Sequence, residues 1–178
     1  MSRPLRVVAG IAAVVAGLVA IMFVTGSMLP REHVATSSVT IRAPIDSVWS
    51  VVRDFGGMPA WWDELRSSER VSLAGTERWR QNAGGFQMEL DVVVDSAPGR
   101  LVTRIVEEPG APFGGIWTYE FAPADGGGTV VTVTENGWIG PPPFRLMGRV
   151  FGLHSTIDGL LAALGRRFGE TATPVHRP

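Results

Sequence analysis

The chain has 178 residues, 45% of them hydrophobic, and a formal net charge of −1, which suits one domain with one sizeable core. A near-neutral chain has no overall field to draw it to nucleic acid, so no nucleic-acid partner is expected. The absence of cysteine excludes disulfides, thiolate metal sites and a thiol nucleophile.

Residues 1–30 read as a transmembrane anchor. From Val7 to Val24 there is no charge and no strong polar group. About 20 apolar residues at 1.5 Å rise cross a hydrocarbon core of ~30 Å. A segment apolar on every side is unlike the amphipathic helix of a soluble domain. It is also longer than the apolar stretch of a secretory signal, so it reads as an uncleaved anchor through residues 5–29. Arg3 and Arg6 precede the uncharged run that starts at Val7. That bias places the N-terminus inside and the domain outside the cytoplasm, as a single-pass membrane protein.

Residues 31–35 read as a linker, 36–169 as the folded domain and 170–178 as a disordered tail. Thr36–Ile41 reads as a strand. Ile45–Asp54 follows Pro44 and sets Ile45, Val48, Trp49 and Val52 on one helical face. Gly56-Gly57 ends that helix, and a second short one is expected over Met58–Leu65. Strands follow over Arg66–Leu73, Thr76–Asn82, Phe86–Asp95, Arg100–Glu107, Gly115–Ala122 and Thr129–Trp138. Turns are expected at Ala74-Gly75, Gly84-Gly85, Pro98-Gly99 and Asp125–Gly128. Phe86–Asp95 alternates most clearly, with Phe86, Met88, Leu90, Val92 and Val94 on one face. One long helix over Phe144–Phe168, with Leu146, Val150, Leu153, Ile157, Leu160, Leu161 and Leu164 on a shared face, closes an α+β domain by covering the sheet.

Val39–Trp49 reads as a strand, an Ala-Pro step and a helix. Asp54 is followed by Met58-Pro59-Ala60-Trp61-Trp62. Pro98–Leu101 reads as a turn before a middle strand, and Trp117–Phe121 with Gly128–Thr134 as a last hairpin. In this order the segments resemble the START-like (SRPBCC) superfamily. Within the superfamily the best match is the polyketide cyclase/dehydrase and lipid-transport group, over Val34–Gly169. The resemblance implies a helix-grip fold, in which a curved antiparallel sheet wraps a long C-terminal helix around a cavity. It also implies binding of lipids, sterols, polyketides or other apolar molecules, and some members are enzymes. An N-terminal anchor is not part of the common pattern, which favours a ligand found in or near the membrane.

The sequence holds no HExxH, GxSxG or P-loop motif, and neither a metal site nor a cofactor is expected. Three residues are candidates for proton chemistry: His154 on the apolar side of the final helix, Glu135 in phase with Val131 and Val133, and Tyr119. Plainer readings are a water-exposed histidine on the helix flank and a solvent-facing strand-end glutamate. The expected ligand-binding residues are Trp49, Trp62, Met88, Leu90, Trp117, Tyr119, Val150, Leu153, His154 and Ile157. The favoured function is sheltering an apolar small molecule at a membrane. Its rivals are a cyclase, dehydratase or hydrolase using His154 and Glu135, and a ligand-free domain that acts through a protein partner.

Overall fold

The computed structural model describes residues 3–71 and 75–177. Ser72, Leu73 and Ala74, expected to end a strand and open a turn, lie outside the described residues, as does Pro178.

Helix α1, Arg3–Ser27, is a continuous apolar helix. Its Val7–Ser27 portion is long and apolar enough to cross a membrane, and its most apolar stretch is not buried in the domain. A signal sequence would meet the same description. Strand β1 begins at Glu32, only three residues after Leu29, and runs to Ile41. The expected linker over residues 31–35 is therefore mostly strand.

Helix α2, Ile45–Arg53, buries Val48, Trp49 and Val52. A single tight turn at Met58–Ala60 takes the place of the second helix expected there, with Pro59 in it. Six strands then follow: β2 Leu65–Arg70, β3 Arg78–Ala83, β4 Phe86–Ser96, β5 Arg100–Ile105, β6 Phe113–Pro123 and β7 Thr129–Ile139. The helices α3, Pro142–Phe151, and α4, Ser155–Arg167, come next, then a short strand β8, Val175–Arg177. The eight strands form one sheet in the order β2-β3-β4-β5-β6-β7-β1-β8. Every pairing is antiparallel. The alternation read on β4 is interrupted between Val92 and Val94, where the register with β5 shifts by a bulge.

The single long C-terminal helix is corrected to two. Gly152 has φ +94°, a conformation that costs glycine little and other residues much. Its position ends α3, and α4 starts three residues later. The polar tail is also corrected. His176 lies opposite Ser37 in the β8–β1 pairing, Arg177 Nε donates to Ser38 Oγ at 2.8 Å, and β8 closes the edge of the sheet.

The core fills only one end of the strands. Along β7, Val131 and Val133 are fully buried. Their neighbours across β6 are Phe121 and Tyr119. On α4, Ile157, Leu160, Leu161 and Leu164 are buried at spacings of three and four residues, the period of one helix face. Trp49 of α2 meets Phe121 edge-on at 5.2 Å. Toward the other end of the same strands come Glu135, Gly137 and Trp117, and there the packing opens.

α3 lies at this open end, against the end of α1. A Cβ at Gly26 would collide with the backbone of Pro142, so the glycine permits the close approach. Arg145 fastens the junction by donating to the carbonyls of Leu29 at 3.2 Å, Ile139 at 3.1 Å and Gly140 at 2.6 Å.

Candidate functional site

A cavity of about 370 Å³ lies between the concave face of the sheet and α3, within the ~300–1,000 Å³ range of small-molecule sites. β4 contributes Met88 and Leu90, β5 Thr103 and Ile105, and β6 Phe113, Trp117 and Tyr119. β7 contributes Glu135, Trp138 and Ile139, and β1 contributes His33. Phe144, Gly148 and Leu153 cover it from the α3 side, and Phe55, Met58 and Trp62 close it below.

Of the residues expected to bind ligand, Trp62, Met88, Leu90, Trp117, Tyr119 and Leu153 line this cavity, and so does the candidate acid or base Glu135. Trp49 instead packs into the filled end of the core. Ile157 is fully buried in that core and away from the cavity. Val150 faces outward at 70% exposure, because α3 ends at Gly152 and does not continue the helical face of α4. His154 lies outside the cavity. Its ring stacks on His176 at 3.9 Å between centroids, and His176 Nε2 lies 2.8 Å from Asp158 Oδ2. Asp158 Oδ1 in turn accepts from Ser37 Oγ at 2.7 Å. This chain of contacts holds the C-terminal strand, and it separates His154 from Glu135.

Glu135 is joined by a residue of the expected linker. His33 Nε2 stands 3.6 Å from Glu135 Oε1, with both side chains mostly buried. The two come from neighbouring strands: His33 lies opposite Gly137, two residues along from Glu135. The missing side chain of Gly137 makes the space, since a Cβ there would stand 2.8 Å from His33 Cε1 and 3.1 Å from Glu135 Oε1. The signal for His33 was the alternation His33, Ala35, Ser37, Val39, Ile41. It is faint because alanine and serine barely mark an inward face.

Tyr119 adds a hydroxyl to the same wall. Burial pushes its phenol well above the ordinary tyrosine value. The negative charge of Glu135 pushes the same way, and Thr103 beside it opposes them in part. A raised acid favours its neutral form in the folded state. The stabilisation is therefore complete below the unfolded value of ~10 and is lost as pH climbs through the folded one. Tyr119 is the chain's one tyrosine, so the ultraviolet tyrosinate band reports on it alone. That band is expected to stay absent in the folded protein above pH ~10 and to appear only together with alkaline unfolding. A band that grows while the fold persists would contradict this placement of Tyr119.

The site is thus a mostly apolar hollow with a polar stretch of wall at His33, Glu135, Tyr119 and Thr103, and with Glu64, Gln81, Ser155 and Thr156 lining it elsewhere. It is shaped to surround an apolar body and to meet a polar group at one point.

Comparison with known proteins agrees with this architecture. The family model described as polyketide cyclase / dehydrase and lipid transport matches residues 32–169. A START superfamily protein from Mycobacterium smegmatis superposes with TM-score 0.63 at 18% identity, over 77% of this chain and 97% of its own. A protein from Thermus thermophilus gives TM-score 0.61 at 24% identity, over 76% and 97%. The di-domain aromatase/cyclase StfQ of the steffimycin biosynthetic pathway gives TM-score 0.62 at 11% identity, over 75% of this chain and 49% of StfQ. At these identities the likeness is one of fold. No curated protein matches the chain significantly.

Proposed function

We propose, from the premise that this chain belongs to the polyketide cyclase/dehydrase and lipid-transport family of START-like proteins, that it is a membrane-tethered receptor for one apolar small molecule. The carrying observation is the cavity of about 370 Å³ with mostly apolar walls. Burial of apolar ligand surface, worth ~25 cal/mol per Å², supplies the affinity. The polar wall fixes orientation.

α1 is the tether, and it is fastened to the cavity's own cover. Arg145 of α3 grips the carbonyl of Leu29, while Phe144 and Gly148 of the same helix line the hollow. Met147, Val150 and Phe151 of α3 are exposed at 50%, 70% and 72%. Three exposed apolar side chains beside the end of a spanning helix suit the membrane interface, where they are shielded from water. Ligand then exchanges between the bilayer and the hollow at the edge where α1 leaves the domain. The charge bias of Arg3 and Arg6 puts the domain on the extracytoplasmic side.

A second reading, proton transfer to or from a bound ligand, is favoured by one observation, the close approach of His33 to Glu135 in the cavity wall. The pairing of His154 with Glu135 is not assembled.

One experiment tests tether and receptor together. Membranes carrying the chain are washed with alkaline carbonate, and the retained protein is moved into amphipol and titrated with an apolar fluorescent dye. Retention in the pellet and saturable uptake of one dye per chain are expected. Release by carbonate would remove the tether, and uptake that never saturates would remove the receptor.

A further inference from the structure

We propose that the cavity selects amphiphiles with a neutral hydrogen-bond-donating head, such as a hydroxyl, over those with an anionic head. The inference rests on the receptor reading above and names its ligand class.

The charges on the wall carry the argument. Among the described lining residues the acidic and basic side chains are Glu64, Glu135 and His33, and none is an arginine. Glu135 inside the hollow and the solvent-exposed Glu64 face only one basic side chain, His33, so the lining offers no surplus of positive charge. A protonated His33 is already faced by Glu135 at 3.6 Å, so its charge is spent within the wall. A carboxylate or phosphate brought into this hollow gives up water and gains no free cation. Such a loss is not recovered inside an apolar site.

The same wall offers an acceptor in want of a donor. Among the described residues no side chain donates a hydrogen bond to Glu135. Its nearest cationic partner, His33, stands beyond hydrogen-bond distance. Glu135 lies across the β6–β7 pairing from Trp117, so its acceptor borders an aromatic surface. A hydroxyl entering there donates to the carboxylate while its chain lies along Trp117 and Leu90. Tyr119 stands close enough for its phenol to feel the Glu135 charge and offers a second hydroxyl to the same head.

The test uses the full chain in amphipol with the apolar dye bound, displaced in parallel by dodecanol and by dodecanoate at neutral pH. Dodecanol is expected to displace the dye at least ~10-fold more effectively, a gap of about 1.4 kcal/mol. Glu135→Gln removes the repelling charge and keeps the side chain's shape. It is expected to bring the two ligands within about threefold of each other, chiefly by improving dodecanoate. Equal displacement by the two in the unmodified chain, or stronger displacement by dodecanoate, would overturn the selectivity and leave the receptor standing. A gap unchanged by Glu135→Gln would overturn the role of Glu135. A chain that binds no dye, and so neither ligand, would overturn the receptor reading and this inference with it.

Discussion

Leu161→Ala is expected to destabilise the domain by about 2–5 kcal/mol. Leu161 is fully buried on the face of α4 that meets the sheet. Truncating it removes transfer free energy and leaves a void that the packed neighbours Ile157 and Leu164 cannot fill without moving. With a urea slope of ~1–3 kcal/mol per molar, the unfolding midpoint falls by roughly 1 M or more. Val150→Ala is the internal control. In a single continuous helix Val150 and Leu161 would share a face, and the two truncations would cost similar amounts. With the break at Gly152, Val150 is 70% exposed, and its truncation stays within about 0.5 kcal/mol. Urea unfolding followed by tryptophan fluorescence separates the two. Equal losses at both positions would restore the continuous helix.

The largest effect on binding is expected from filling the hollow. Met88 and Leu90 sit two apart on β4 with both side chains at the cavity. The double variant Met88→Trp, Leu90→Trp puts two indoles into space that holds no protein atoms. It therefore escapes much of the overpacking cost of about 1–3 kcal/mol that a filled core would exact. The folded circular dichroism spectrum is expected to persist while dye affinity falls at least ~10-fold. Unchanged affinity in the folded double variant would move the binding surface elsewhere, and the exposed face of α3 would then be the first place to look.

Much of the fold is legible in the sequence because strand alternation and glycine turns are local signals. Met88 and Leu90 on β4, and Trp117 and Tyr119 on β6, follow from period two alone, since one face of each strand must turn inward. What period two does not say is which end of the inward face is filled. Trp49 looked like a cavity wall and proved to be core, because Phe121 and α2 fill the end of the sheet it faces. His154 shows a different limit. The apolar period runs unbroken through residues 144–168, and only the positive φ of Gly152 turns the chain. A lone glycine in an apolar run is an ambiguous sign. His33 was missed because β1 begins earlier than its β-branched residues suggest. Its inward role depends on Gly137, on a strand about a hundred residues away. The tail strand has no local signature at all. It is held by side-chain contacts of His176 and Arg177 with groups distant in sequence.

We propose that the hollow between sheet and α3 holds an apolar molecule drawn from the chain's own membrane. The most direct measurement is native mass spectrometry of the full chain released from micelles after purification from its host, with solvent extraction of whatever departs. The account predicts a stoichiometric adduct that is lost on activation and recovered as a neutral amphiphile, and that is absent from the Met88→Trp, Leu90→Trp variant. An unadorned chain mass, or an adduct carried equally by the filled variant, would contradict it.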